Sequence, residues 1–157
     1  MLRVQTNLAT TYAKLGRKDE AMRIEKDVYS GRLKLNGEEH EETLMQAYNY
    51  AVSLYGLQRY EETKALLRKT MPVARRVLGE LHRLALKMRW LYARALYLDA
   101  SATLGDLRES VEILESVANS WKRIFGQAHP DTPKVQGALK EAREALAERL
   151  AASAGSA

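Results

Sequence analysis

The sequence predicts an all-α superhelix: three successive helix–turn–helix repeats followed by a C-terminal capping helix. Three observations carry that prediction. Gly-x-x-His recurs as Gly37 to His40, Gly79 to His82 and Gly126 to His129, and these are the only 3 histidines in the chain. A segment opening Asn7-Leu8-Ala9 returns as Asn49-Tyr50-Ala51, with Ala9, Ala51 and Ala93 in one register. In the third unit Leu107, Val111, Leu114, Val117 and Trp121 recur at intervals of three or four, which is helical spacing. An internal period of this length signals stacked helical repeats.

Each element follows in order. Helix A1 runs through Asn7 to Leu15, and Gly16-Arg17-Lys18 makes a tight turn. Asp19 and Glu20 open helix B1, where acidic side chains complement the helix dipole. Gly37 ends that helix as a C-cap. The second unit repeats the plan with Asn49 to Leu57, a turn at Gln58-Arg59, and Glu61-Glu62 opening helix B2. Pro72 falls inside B2 and predicts a kink there. The third unit reads Leu91-Tyr92-Ala93-Arg94, then Gly105-Asp106 as its turn and helix start. It is five residues longer than the second, between Ala93 and Leu104. Either helix A3 is longer or the A–B loop bulges, and the longer helix is the expectation.

Thr132 as N-cap with Pro133 behind it starts a seventh helix that reaches Leu150. Its charged run from Lys140 to Arg149 suits a terminal cap with a solvated face. The expected organisation is a single domain over 1–150, with repeats 1–41, 42–82 and 83–131 and a capping helix at 132–150. The small, uncharged tail at 151–157 is expected to be flexible.

Composition removes several function classes. At 157 residues, with 46% hydrophobic and 29% charged, the chain fits one folded domain rather than a disordered segment. It contains no apolar run long enough for a transmembrane helix, and the N-terminus is too polar for a secretory signal. The absence of cysteine excludes disulfides, thiol catalysis and cysteine-ligated metal, and points to the cytoplasm.

The quoted residues resemble the tetratricopeptide repeat in its long, 42-residue form, as found in kinesin light chains. The resemblance rests on Asn-Leu-Ala-x-x-Tyr from Asn7 to Tyr12, and on Leu-Gly-Arg-x-x-Glu-Ala from Leu15 to Ala21. The Gly-x-x-His-Pro-x-Thr linker from Gly126 to Thr132 completes it. It implies a right-handed solenoid with A helices lining a concave groove and B helices behind. It does not imply attachment to a motor, because no heptad coiled coil precedes the repeats and Leu91 stands where the family has asparagine.

The resemblance maps groove positions onto Arg3, Asn7, Thr10 and Lys14 in the first repeat. In the second they fall on Tyr48, Asn49, Val52 and Tyr55, and in the third on Lys87, Trp90, Arg94 and Tyr97. The helix-A asparagine of related domains hydrogen-bonds an extended peptide backbone, and an amide suits this because it donates and accepts at once. No acidic residue occurs from Met1 to Lys18, from Thr43 to Tyr60 or from Leu81 to Leu98. The A helices therefore read as neutral to basic, with Lys and Arg placed to meet carboxylates. Bland alternatives stay open: the aromatics fit packing between repeats, the asparagines fit helix bridging, and the basic residues fit a solvated face.

The expected function is a protein–protein interaction scaffold binding an extended acidic peptide with an aromatic or aliphatic anchor. The alternative is self-association into a homo-oligomer through an open N-terminal edge at Leu2, Val4 and Leu8, or a place in a longer array. No enzyme is expected, since no nucleophile elbow, phosphate loop or acid–histidine pairing occurs in the sequence. Nor is a cofactor or metal expected, because histidines a whole repeat apart cannot share one ion. Six basic residues spread over three helices make a sparse track for nucleic acid.

Overall fold

The computed structural model describes the backbone of residues 2–155 and the side chains of residues 5–155. The candidate residue Arg3, with Leu2 and Val4 of the open edge, therefore has its side chain outside the described residues. Seven helices and no strand occur among the described residues: α1 (Leu2–Lys14), α2 (Lys18–Asn36), α3 (Glu41–Gly56), α4 (Tyr60–Leu78), α5 (Arg83–Leu98), α6 (Leu104–Phe125) and α7 (Thr132–Gly155). Two compact units divide the chain, Met1–Ala85 and Leu86–Ala157.

In the first unit each helix packs on the next, α1 on α2, α2 on α3 and α3 on α4. Its interior holds Ala9, Val28, Leu44, Ala51, Leu54 and Leu67, all at most 1% exposed. The turns from helix A to helix B are built identically. Arg17 N–H donates to Tyr12 O, and Arg59 N–H donates to Leu54 O. The turn residue takes a positive φ in both, +78° at Gly16 and +60° at Gln58. Each arginine then clips the new helix through a two-pronged pair, Arg17 to Glu20 and Arg59 to Glu62. Arg17 also lies 4.4 Å above the Tyr12 ring.

The linkers repeat as faithfully. Gly37, Gly79 and Gly126 have φ of 80°, 97° and 82° with ψ of 173°, 153° and 169°, a region essentially reserved for glycine. Each donates its N–H to a carbonyl four residues earlier and closes the B helix. Each linker histidine then turns Nδ1 to a backbone N–H two residues on: His40 to Glu42 at 3.2 Å, His82 to Leu84 at 3.2 Å and His129 to Asp131 at 3.1 Å. His40 thereby caps α3 and His82 meets the first turn of α5, whereas the bond of His129 stays within the linker before α7.

The second unit is built around α6. One core cluster joins Ala93 and Tyr97 of α5 to Leu107 and Leu114 of α6 and to Ala138 and Ala142 of α7. A second joins Leu86, Val117, Trp121 and Val135. Ala93 lets α6 come close, and the buried Ser110 hydroxyl donates to its carbonyl at 2.8 Å.

Four expectations are corrected here. Helix A3 is not longer: α5 has 16 residues, as α3 has. The insertion instead lengthens the loop to 99–103 and the following helix to 22 residues, against 19 in α4. Gly105 accordingly lies inside α6 rather than in a turn. A capping box between Thr103 and Asp106 starts that helix, replacing the arginine clip. Thr132 does not cap α7, since its hydroxyl points back and donates to Gly126 O at 2.8 Å. Finally, α7 does not stop at Leu150. Its backbone stays helical to Gly155, where Ala151, Ala152 and Ala154 favour helix and Ser153 bonds Arg149 O. Pro72 sits inside α4, which runs unbroken from Tyr60 to Leu78 with one donor fewer.

Candidate functional site

An open cleft of about 440 Å³ lies between α1 and α3 in the first unit. Thr6 and Asn7 line it from α1, and Met45, Gln46 and Asn49 from α3. Asn7 and Asn49, the two repeat-related asparagines, are thus brought to one concavity. At its other end stand His40, Glu41 and Glu42, with Arg32 reaching in from α2. Arg32 Nη1 meets Glu42 Oε2 at 2.5 Å. Since α3 begins at Glu41, helix A2 does carry two acidic residues. The expectation of an acid-free groove is corrected at this cleft.

The floor of the cleft is tied to a buried carboxylate. Gln46, 4% exposed, donates through Nε2 to the Glu25 carboxylate, and its Oε1 faces the Thr6 hydroxyl at 3.4 Å. Glu25 is 5% exposed, and burial pushes its carboxyl up from the usual carboxylate range, opposed by the Gln46 donor. Sequence reading missed both residues. The signal available was a polar side chain three positions before Asn49 on a helix, too common to single out.

A second cleft, of about 350 Å³, lies between α5 and α7 in the second unit. Trp90 and Arg94 line it from α5, Lys134, Gly137 and Glu141 from α7. Trp90 packs edge-on to the fully buried Trp121, with ring centroids 6.0 Å apart. Lys134 bonds Asp131 at 2.8 Å and holds that carboxyl below its usual range, with Lys87 and His129 acting the same way.

Tyr97 is a correction. It was expected as a groove wall, yet it is 8% exposed and part of the core against α7. Its hydroxyl donates to Glu141 Oε2 at 2.6 Å. Burial first, and then this carboxylate, push the phenol well above its ordinary range. The other candidates divide. Lys14 is exposed at the end of α1, and Lys87 is half-buried. Tyr48 and Tyr55 are half-buried outside the first cleft, Tyr55 edge-on to Tyr60 at 5.6 Å. Among the described residues no group of three or more histidine, aspartate or glutamate side chains is arranged to hold a metal, and no helix is long and apolar enough to cross a membrane.

Comparison with known proteins agrees with the all-helical repeat fold. The model of the Tetratricopeptide repeat family matches residues 1–42, 43–84 and 99–131. Among solved structures, the chain is similar to nearly identical TPR-like repeats assigned to a kinesin light chain of Podosopora anserina. That match has a TM-score of 0.81 at 26% identity over 92% of this chain and 66% of the other. A single-substitution variant of the same protein gives the same values. BtubC (BKLC) from P. vanneervenii shares the fold at 16% identity, with a TM-score of 0.69 over 98% of this chain and 64% of that one. The chain thus spans just under two thirds of each of these structures. No curated protein matches the sequence.

Proposed function

Because the chain belongs to the tetratricopeptide repeat family, we propose that residues 1–150 act as one interaction domain whose helix-A faces hold an extended segment of a partner protein. Protein–protein interaction and scaffolding are the general work of such repeats. The finer reading rests on one observation: Asn7 and Asn49, one repeat apart, line the same open cleft. Two carboxamides in a row, each able to donate and accept, suit the alternating donors and acceptors of a peptide main chain. In the second cleft Arg94 and Lys134, the latter already paired with Asp131, are the cations an acidic side chain would meet, and Trp90 gives an apolar anchor a ring to pack on. The reading is of binding rather than catalysis. A cytoplasmic setting fits a chain without cysteine.

The test is peptide titration against the parent chain and an Asn7→Ala, Asn49→Ala double variant. The double variant is expected to bind at least tenfold more weakly, a change of about 1.4 kcal/mol. Unchanged affinity overturns the cleft reading.

Self-association is a second reading, favoured by Leu8 and Leu15, which are 43% and 68% exposed on and just after α1. It calls for a mass in light scattering that rises with concentration, and a constant monomer mass removes it.

A further inference from the structure

We infer that the α1–α3 cleft selects a lysine or arginine side chain from the partner segment, an inference that rests on the cleft reading above. The charges come first. Among the described residues of the lining, Arg32 supplies one cation, and Glu41 and Glu42 supply two carboxylates. Arg32 is committed to Glu42 at 2.5 Å. Glu41, with 62% of its side chain exposed, stands 4.0 Å from Nε2 of the His82 ring. An acidic partner residue entering here meets a second carboxylate, whereas a cation meets one that Arg32 leaves unbalanced.

The floor points the same way. A carboxamide free to flip offers either its donor or its acceptor end. Gln46 is not free, because the buried Glu25 carboxylate takes its NH2 group. The oxygen is left on the side of the cleft, where it already accepts from the Thr6 hydroxyl at 3.4 Å and keeps a second lone pair. The floor therefore presents an acceptor, which suits an ammonium or guanidinium and not a carboxylate. Met45, 43% exposed at the same cleft, gives the aliphatic stem of lysine or arginine a surface to lie along. Stem, acceptor and carboxylate sit together in this one cleft.

The experiment uses three peptide pools of equal length, basic, neutral and acidic, titrated into the full chain. The readout is the side-chain amide resonances of Asn7, Gln46 and Asn49, which report this cleft and no other. The basic pool should move these signals and the acidic pool should not. Glu41→Lys should weaken the basic pool at least tenfold, as should Asn49→Ala. If all pools move the signals equally and only Asn49→Ala weakens them, the cleft reading stands and the charge preference is overturned. If no pool moves them, or Asn49→Ala changes nothing, both are overturned.

Discussion

Replacing Gly126 with alanine should unfold the second unit more easily, while replacing Gly137 with alanine should stabilise it. Gly126 has φ of 82° and ψ of 169°, and a Cβ built there meets nothing within 4 Å. The penalty is therefore backbone conformation and not collision. Holding an L-residue in that region costs on the order of 1–3 kcal/mol. Gly137 lies inside α7, and its Cβ also meets nothing within 4 Å. Alanine there gains about 0.5–1 kcal/mol, because glycine loses more freedom on entering a helix. Urea unfolding followed by Trp121 fluorescence separates the two, since that indole is fully buried among Trp90, Phe125 and His129. With a slope of about 2 kcal/mol per M, the midpoint should fall by roughly 0.5–1.5 M for Gly126→Ala and rise by roughly 0.3–0.5 M for Gly137→Ala. Equal midpoints for parent and Gly126→Ala would refute the linker conformation, and with it the account of how helix B ends.

Three further outcomes are expected. Gln58→Gly should raise stability by about 1 kcal/mol, since glutamine there holds the positive φ that glycine holds in the first repeat, and thermal unfolding measures it. Tyr97→Phe should lower stability by about 1 kcal/mol, because it removes a short bond to a carboxylate that regains water at the surface. Glu25→Gln should change the pH dependence. Burial raises this carboxyl in the folded state, so the native protein takes up its proton before the unfolded chain does as pH falls. Stability linked to Glu25 is therefore full below the ordinary glutamate range and falls as pH rises to the raised native value. The variant should lose that fall and exceed the parent near neutral pH. Parallel stability–pH curves for the two would sink this account.

The repeat was legible because its signals are local and multiply confirmed. The three glycines demand one unusual conformation, and the alanines mark one close approach, so each copy checks the others. The insertion was not legible in the same way. A count of five extra residues is indifferent to whether they extend the loop, α5 or α6, and the Thr103–Asp106 capping box settled it. Tyr97 misled for a different reason. Its place on helix A matches a groove position, but whether that face is open depends on α7 packing there from a distant part of the sequence. Glu41 and Glu42 read as linker residues because the capping histidine before them carries no usual N-cap signal. The helix starts right after His40, which brings both carboxylates to the cleft.

The linker histidines carry a consequence for coordination chemistry. A neutral imidazole has one lone pair on its ring nitrogens, and in each linker it sits on Nδ1, committed to a backbone N–H. The outward nitrogen is then Nε2–H, which donates and cannot ligate. A transition-metal ion can take any of these rings through Nδ1 only by displacing that backbone N–H, which at His40 and His82 belongs to the first turn of a helix. The chain thus commits the free electron pair of each linker imidazole to its own backbone.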